Sequence, residues 1–149
     1  MIMTCVDIVA FFDRENIIDV MDTLDNVGVN KKAARVWFKL NEATEIKVNC
    51  AGGVSDSAYV GDCIGQGTAG ACLVSALNLD NGLQTYFKES IDDIEYGSDV
   101  KLKYFAYQDD AAKPNKGVKE AHIANIKMSH LFEEKGLEAN PDNTYFIIF

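Results

Sequence analysis

No apolar run in the 149-residue chain approaches the roughly 20 residues that a bilayer-spanning helix needs. The N-terminus also lacks the basic, apolar, small-residue succession of a secretory leader. Both absences point to an intracellular protein, in nucleus or cytoplasm, with no membrane partner. Cys5, Cys50, Cys63 and Cys72 contain no C-x-x-C pair. Neither a zinc site nor a disulfide framework is indicated, and reduced, mostly buried thiols are expected. Basic charge is scarce too: 14 Lys and Arg stand against 23 Asp and Glu, a net charge of -9. Neutralising phosphates takes Lys and Arg, so this balance at first sight argues against nucleic-acid binding.

What remains is the composition of a globular protein, 48% hydrophobic and 25% charged, in one domain (1–149) long enough to bury a core. Ile2 to Val9, "IMTCVDIV", reads as a strand covered on both faces, with Asp7 its one exception. Ile17, Ile18, Met21 and Leu24 recur at helical spacing, stopped by Gly28. A second helix is expected over about Lys31–Asn41, with Ala34, Trp37 and Phe38 inward. Glu45–Cys50 and Ala58–Ile64 read as two strands joined through "AGGVSDS".

From Thr68 to about Glu89 the pattern is helical, with Leu73, Val74, Leu77, Leu83 and Phe87 as the buried stripe and Gly82 as a bend. Asp99–Tyr107 alternates as a half-buried strand, with Gln108-Asp109-Asp110 as the turn of a hairpin. A last long helix is expected over about Lys116–Lys135, closed by Gly136, with Val118, Ala121, Met128, Leu131 and Phe132 inward. "TYFIIF" ends the chain as a strand. This order implies an α+β layer with a mainly antiparallel sheet. His122 and His130, eight residues apart on a charged helix with no third ligand, read as solvated.

In "YFAYQDDAA" an apolar strand runs into two adjacent carboxylates, whose repulsion costs of order 1 kcal/mol when solvated and more when half buried. If this hairpin lies beside the first strand at the centre of the sheet, Asp7, Asp109 and Asp110 meet at one edge. Three such acids need cations, and oxygen-only ligands suit Mg2+. Two ions about 3.5 to 4 Å apart can activate a hydroxyl and steady a leaving oxygen in phosphoryl transfer. The plainer alternative is a polar turn with Asp7 as a capping or surface acid.

Further motifs bear on that choice. "VDIVAFFDRENI" resembles the first palm motif of reverse transcriptases, an aspartate followed by an aromatic at the fifth and an acid at the sixth position: Asp7, Phe12 and Asp13. "GQGTAG", Gly65 to Gly70, resembles the Gln-Gly motif that opens the next palm helix, and "FAYQDDAA" the Tyr-x-Asp-Asp hairpin. "GLEANPDNTYFIIF" resembles the later segment with Asn-x-x-Lys-Thr and an apolar strand. Their order and spacing are most similar to retrotransposons without long terminal repeats.

The resemblance implies a polymerase palm (ferredoxin/RRM-like), an antiparallel sheet packed on helices with fingers and thumb largely missing. It implies an RNA-directed DNA polymerase working on an RNA template, a DNA primer and a dNTP, with two Mg2+ ions, or Mn2+ in their place. Asp7, Asp109 and Asp110 would be catalytic and would hold the metal, Asp7 and Asp109 as direct ligands. Ile8, Phe12, Gln66, Gly67 and Tyr107 would bind substrate. The Phe12 ring would exclude a 2'-hydroxyl, Gln66 and Gly67 would contact the nascent pair and template, and Tyr107 would pack near the primer end.

Two departures stand out: Asn143 replaces the usual lysine beside the triphosphate, and the helix after "GQGTAG" lacks its usual proline. Fingers and thumb of the parent polypeptide would supply the basic grip, leaving Lys31, Lys32, Arg35, Lys101 and Lys103 as basic candidates here. A nucleotide cyclase would need an acidic hairpin that does not follow Gly52-Gly53. The alternative from another class is a catalytically inactive relic or interaction domain that keeps the palm fold.

Overall fold

Every second side chain from Ile2 to Ile8 is buried, while Met3, Cys5 and Asp7 between them are half-exposed. The first strand is therefore covered on one face, not the two that its apolar composition implies. The computed structural model describes all residues except 43, 62, 66, 89–93 and 97–99, with backbone alone at 44, 60, 96 and 100. Its elements begin with β1 (Ile2–Asp7), a single helical turn α1 (Phe11–Arg14), α2 (Ile17–Asn26) and α3 (Lys31–Asn41). Four short strands follow, β2 (Thr44–Ile46), β3 (Asn49–Cys50), β4 (Gly53–Val54) and β5 (Ala58–Val60), then α4 (Ala71–Phe87). The rest is β6 (Ile94–Tyr96), β7 (Val100–Leu102), β8 (Phe105–Tyr107), β9 (Asp110–Asn115), α5 (Val118–Glu134), a 3-10 turn (Pro141–Asn143) and β10 (Tyr145–Ile148).

Four strands form the main sheet in the order β10-β1-β9-β8, every pairing antiparallel. Helices α4 and α5 pack on one face of it, where Val6, Ile8, Phe11, Leu83, Met128 and Phe132 belong to the main core. A second cluster, including Val20, Leu24, Ala34 and Val74, joins α2, α3 and α4. The opposite sheet face has no described helix packed on it and presents Met3, Cys5, Phe105 and Tyr107. The α+β class and the antiparallel sheet are as the sequence implies.

Several expectations are corrected. Ile18, Leu73 and Val118 are exposed rather than inward; in α2 the buried set is Ile17, Val20, Thr23 and Leu24. The expected strand over Asp99–Tyr107 is two: β7 pairs with β6 in a separate ribbon, and β8 joins the main sheet. The break falls at Lys103-Tyr104, where the Tyr104 hydroxyl donates to the Asp80 carboxylate at 2.6 Å and its ring packs beside Phe87. Asp99 and Glu89 lie outside the described residues. The segment between Glu45 and Ile64 holds two nested ribbons, β2 with β5 and β3 with β4.

Gly82 is no bend but a close contact: a Cβ there would lie 2.7 Å from Leu131 Cδ1 and 2.8 Å from Lys135 Cε. Cys5, Cys50 and Cys72 are free thiols, yet none of the four cysteines is buried: Cys50 and Cys72 are exposed, Cys5 and Cys63 intermediate. His122 and His130 are exposed on α5. Among the described residues no helix is long and apolar enough to cross a membrane.

Candidate active site

Asp7 ends β1 and Asp110 opens β9, and the two are direct cross-strand partners. One residue further on, the Ile8 backbone N–H donates to the Asp109 carbonyl at 2.9 Å. Three acids separated by about a hundred residues of chain thus reach one end of the sheet. Tyr107 also pairs with Asp110, so Gln108 and Asp109 are the two-residue loop of the β8–β9 hairpin. Gln108 has φ 53°, the left-handed backbone that tight hairpin loops require. It is the strand after the acid pair that lies beside β1; β8, the strand before it, is at the sheet edge.

Burial and like charge act in the same direction here. Partial burial, then Asp109 and then Asp7, raises the Asp110 pKa above the ordinary carboxylate range. Burial followed by Asp110 pushes up the Cys5 thiol on the same face. Among the described residues, none of the three acids forms an ion pair. The only side chains that reach Asp7 among them are neutral. Asn140 Nδ2 donates to its Oδ2 at 2.7 Å and Asn143 Nδ2 donates to the same oxygen at 3.1 Å.

An oxygen-only donor set with uncompensated charge is the chemistry a hard divalent cation fits. The side chains are not preassembled for one, since among the described residues no three His, Cys, Asp or Glu side chains converge closely enough to hold a metal. Asp7, Asp109 and Asp110 are the nearest such set, by backbone register alone. Backbone register brings them to one end of the sheet without assembling a metal-holding group.

The other candidates are arranged around this edge. Ile8 is 2% exposed in the core and bridges to Ala139, so its side chain is out of a substrate's reach and its N–H is taken by Asp109 O. Phe12 is half-buried, packs against both cores and lies 5.5 Å, centroid to centroid, from Phe11. Its carbonyl accepts from Ile64 N at 3.1 Å, tying α1 to the loop that carries Gly67. Gly67 is exposed with φ 83°, while Gln66 lies outside the described residues. Tyr107 is 74% exposed on the open sheet face. The sequence marks Asn143 as a departure and gives Asn140 no role of its own; "NPDN", an asparagine capping a proline-led turn, is the local signal there.

No protein-family model matches this sequence, and no curated protein matches it significantly. Solved structures do. Apo telomerase from Candida tropicalis, truncated from its C-terminal domain, aligns over 98% of this chain with TM-score 0.68 and 15% identity. Telomerase from Candida albicans, solved in complex with the TWJ fragment of telomeric RNA, aligns over 99% with TM-score 0.66 and 14% identity. The fold is one that telomerase shares. It mixes helices and sheet, and at this identity the likeness speaks for fold alone. The chain spans 30% of the first telomerase chain and 27% of the second.

Proposed function

We propose that the chain is the palm segment of an RNA-directed DNA polymerase, of the retrotransposon branch without long terminal repeats. The observation that carries the reading is the Asp7–Asp110 pairing beside the Asp109 turn, in a fold that telomerase shares. The four ordered motifs favour the retrotransposon branch. In this reading the partners are an RNA template, a DNA primer and a dNTP, and Asp7 and Asp109 hold Mg2+ or Mn2+ with Asp110 beside them. When bound, the ions activate the primer 3'-hydroxyl and stabilise charge on the departing pyrophosphate. The chain's own residues orient the reactants: Phe12 bars a 2'-hydroxyl, Gly67 lets the template backbone approach, Gln66 contacts the nascent pair and Tyr107 supports the primer end.

Two observations favour a second reading, a non-catalytic domain that retains the fold. The carboxylates do not converge as they stand, and Asn143, in place of the family's lysine, supplies no cationic proton donor. Mn2+ titration of the chain and of Asp109→Ala, followed by the electron paramagnetic resonance of free Mn2+, separates the two. Binding that Asp109→Ala abolishes supports the polymerase reading. Identical titrations would overturn it in favour of the relic.

A further inference from the structure

Helix α3, KKAARVWFKLN, carries four cations and no acid in a chain whose net charge is -9. At four-residue steps its side chains fall into parallel ridges. Lys31, Arg35 and Lys39 make one that is wholly basic. Lys32, Val36 and Leu40 make the next, and Ala33, Trp37 and Asn41 the one beyond it. The apolar surface therefore lies between a basic edge and the tryptophan. Nor is it spent on the core: Val36 is 55% and Leu40 76% exposed, while Ala34 is the residue of α3 buried in the second cluster.

Val36, Trp37 and Leu40 line a groove of about 800 Å3, completed by Thr68 and Ala69 of the loop before α4. Its tryptophan wall is already fixed. Trp37 Nε1 donates to the Ala69 carbonyl at 3.1 Å, so the indole has no polar atom left to offer and presents only its ring. Gly70, with φ 82°, lets the loop close on that ring, where a Cβ would lie 3.4 Å from Trp37 Nε1. On the basic side, Lys32 and Arg35 form no ion pair among the described residues. Lys31 and Lys39 are paired at exposed positions, where such pairs contribute little.

An apolar lining beside uncommitted positive charge selects an occupant that is apolar on one face and acidic on its flank. We infer that this groove docks an amphipathic α-helix of another protein. Its large apolar side chains, at i, i+3 or i+4 and i+7, seat between Leu40 and Trp37, and its Asp or Glu residues face Lys32 and Arg35. The 11 residues of α3 extend about 16 Å, room for about three turns of a partner. A nucleic-acid strand would use the cations and leave Val36 and Leu40 uncovered. A second copy fits poorly. Helix α5 exposes Ile123 and Ile126, but Lys119 and Lys127 stand one turn to either side of Ile123. Helix α2 is acidic, yet Ile18 is the only large apolar residue it exposes among the described residues. None of this depends on the carboxylates at the sheet end.

Trp37 is the chain's only tryptophan, so its emission reports on the groove directly. The probes are a synthetic amphipathic helix of leucine, alanine and glutamate, and its counterpart with lysine in place of glutamate, titrated at about 150 mM salt. The glutamate peptide is expected to bind at micromolar concentration and shift the emission to the blue, and the lysine peptide to do neither. Leu40→Glu, at a position 76% exposed, should keep the parent's urea midpoint and lose at least about tenfold in affinity. Arg35→Glu should lose about tenfold through charge alone. No binding of the glutamate peptide, equal binding of the two peptides, or parental affinity in Leu40→Glu would each sink the inference. So would an oligonucleotide or phosphatidylserine vesicles that shift Trp37 emission more readily than the peptide does, or a dimer in sedimentation that Leu40→Glu dissolves, because each gives the groove a different occupant.

Discussion

Glu15 is 1% exposed, and only one of its carboxylate oxygens is satisfied. Oε1 accepts from Asn78 Nδ2 at 2.9 Å, while Oε2 and the neighbouring Ser75 hydroxyl, both buried, sit near each other without a well-formed hydrogen bond. Burial raises the Glu15 pKa above 4.5, against the lowering influence of Ser75, Asn78 and Lys135, and Asp19 adds to the rise. A carboxyl group with a raised folded pKa binds more protons folded than unfolded. Its contribution is therefore fully favourable below about pH 4.5 and is lost as pH climbs through the folded value. Glu15→Gln keeps an acceptor for Asn78, removes the buried charge and puts at the Oε2 position an N–H that the Ser75 hydroxyl oxygen can accept. We expect this variant to be more stable than the parent by about 1 kcal/mol at pH 8, with the gain vanishing near pH 4.5. Urea unfolding at the two pH values checks it, and equal stability at pH 8 would remove Glu15 as a strained site.

At the scale of elements, β9 governs the site, because it pairs with β1 and so sets Asp110 opposite Asp7. Its sequence, DAAKPN, has little of a strand's composition, which is why periodicity implied a hairpin without delimiting the returning strand. What keeps β9 central is tertiary: Lys113 and Asn115 are each 1% exposed, and Lys113 Nζ lies 5.6 Å from the centre of the Phe87 ring. Asn115 Nδ2 reaches Ile2 O at 3.3 Å, Thr4 Oγ1 at 3.1 Å and Lys113 O at 2.7 Å. Asn115→Asp would set a carboxylate against two carbonyls, and we expect a loss of about 3 kcal/mol or more in urea unfolding. Asn115→Ala, which removes the donor without adding charge, should lose less. The α4–α5 contact at Gly82 is a second such point. Helical spacing showed α4 but could not show that α5 leans on it there. Gly82→Val gains helix propensity over glycine, yet we expect a net loss of about 2 kcal/mol from overpacking against Leu131. A stability equal to the parent's would mean that Leu131 moves aside freely.

Over the whole molecule, charge decides what the chain can grip. Of the basic residues, Arg14, Lys31, Lys39 and Lys47 are already paired with Glu138, Asp25, Glu42 and Glu45, and the net charge is -9. The open sheet face adds apolar and aromatic surface, Phe105 at 47% and Tyr107 at 74% exposure, but no described basic stripe. The three acids were legible in the sequence because motif and strand period agree on them. The amides on Asp7 were not, because "NPDN" announces a capped turn but not that its asparagines meet a carboxylate 133 residues away. Nor could the sequence show that α1 and the Gly67 loop are joined through Phe12 O and Ile64 N. On the polymerase reading proposed above, a site at the edge of so acidic a surface needs more positive charge than the described residues supply. We therefore expect the isolated chain to bind an RNA–DNA duplex more weakly than about 100 µM at about 150 mM salt. Fluorescence anisotropy of a labelled duplex measures that affinity, and primer extension with Mn2+ measures its consequence, which we expect to be undetectable. Micromolar binding with robust extension by these 149 residues would show that the open face grips nucleic acid without a basic surface, through stacking rather than phosphate neutralisation.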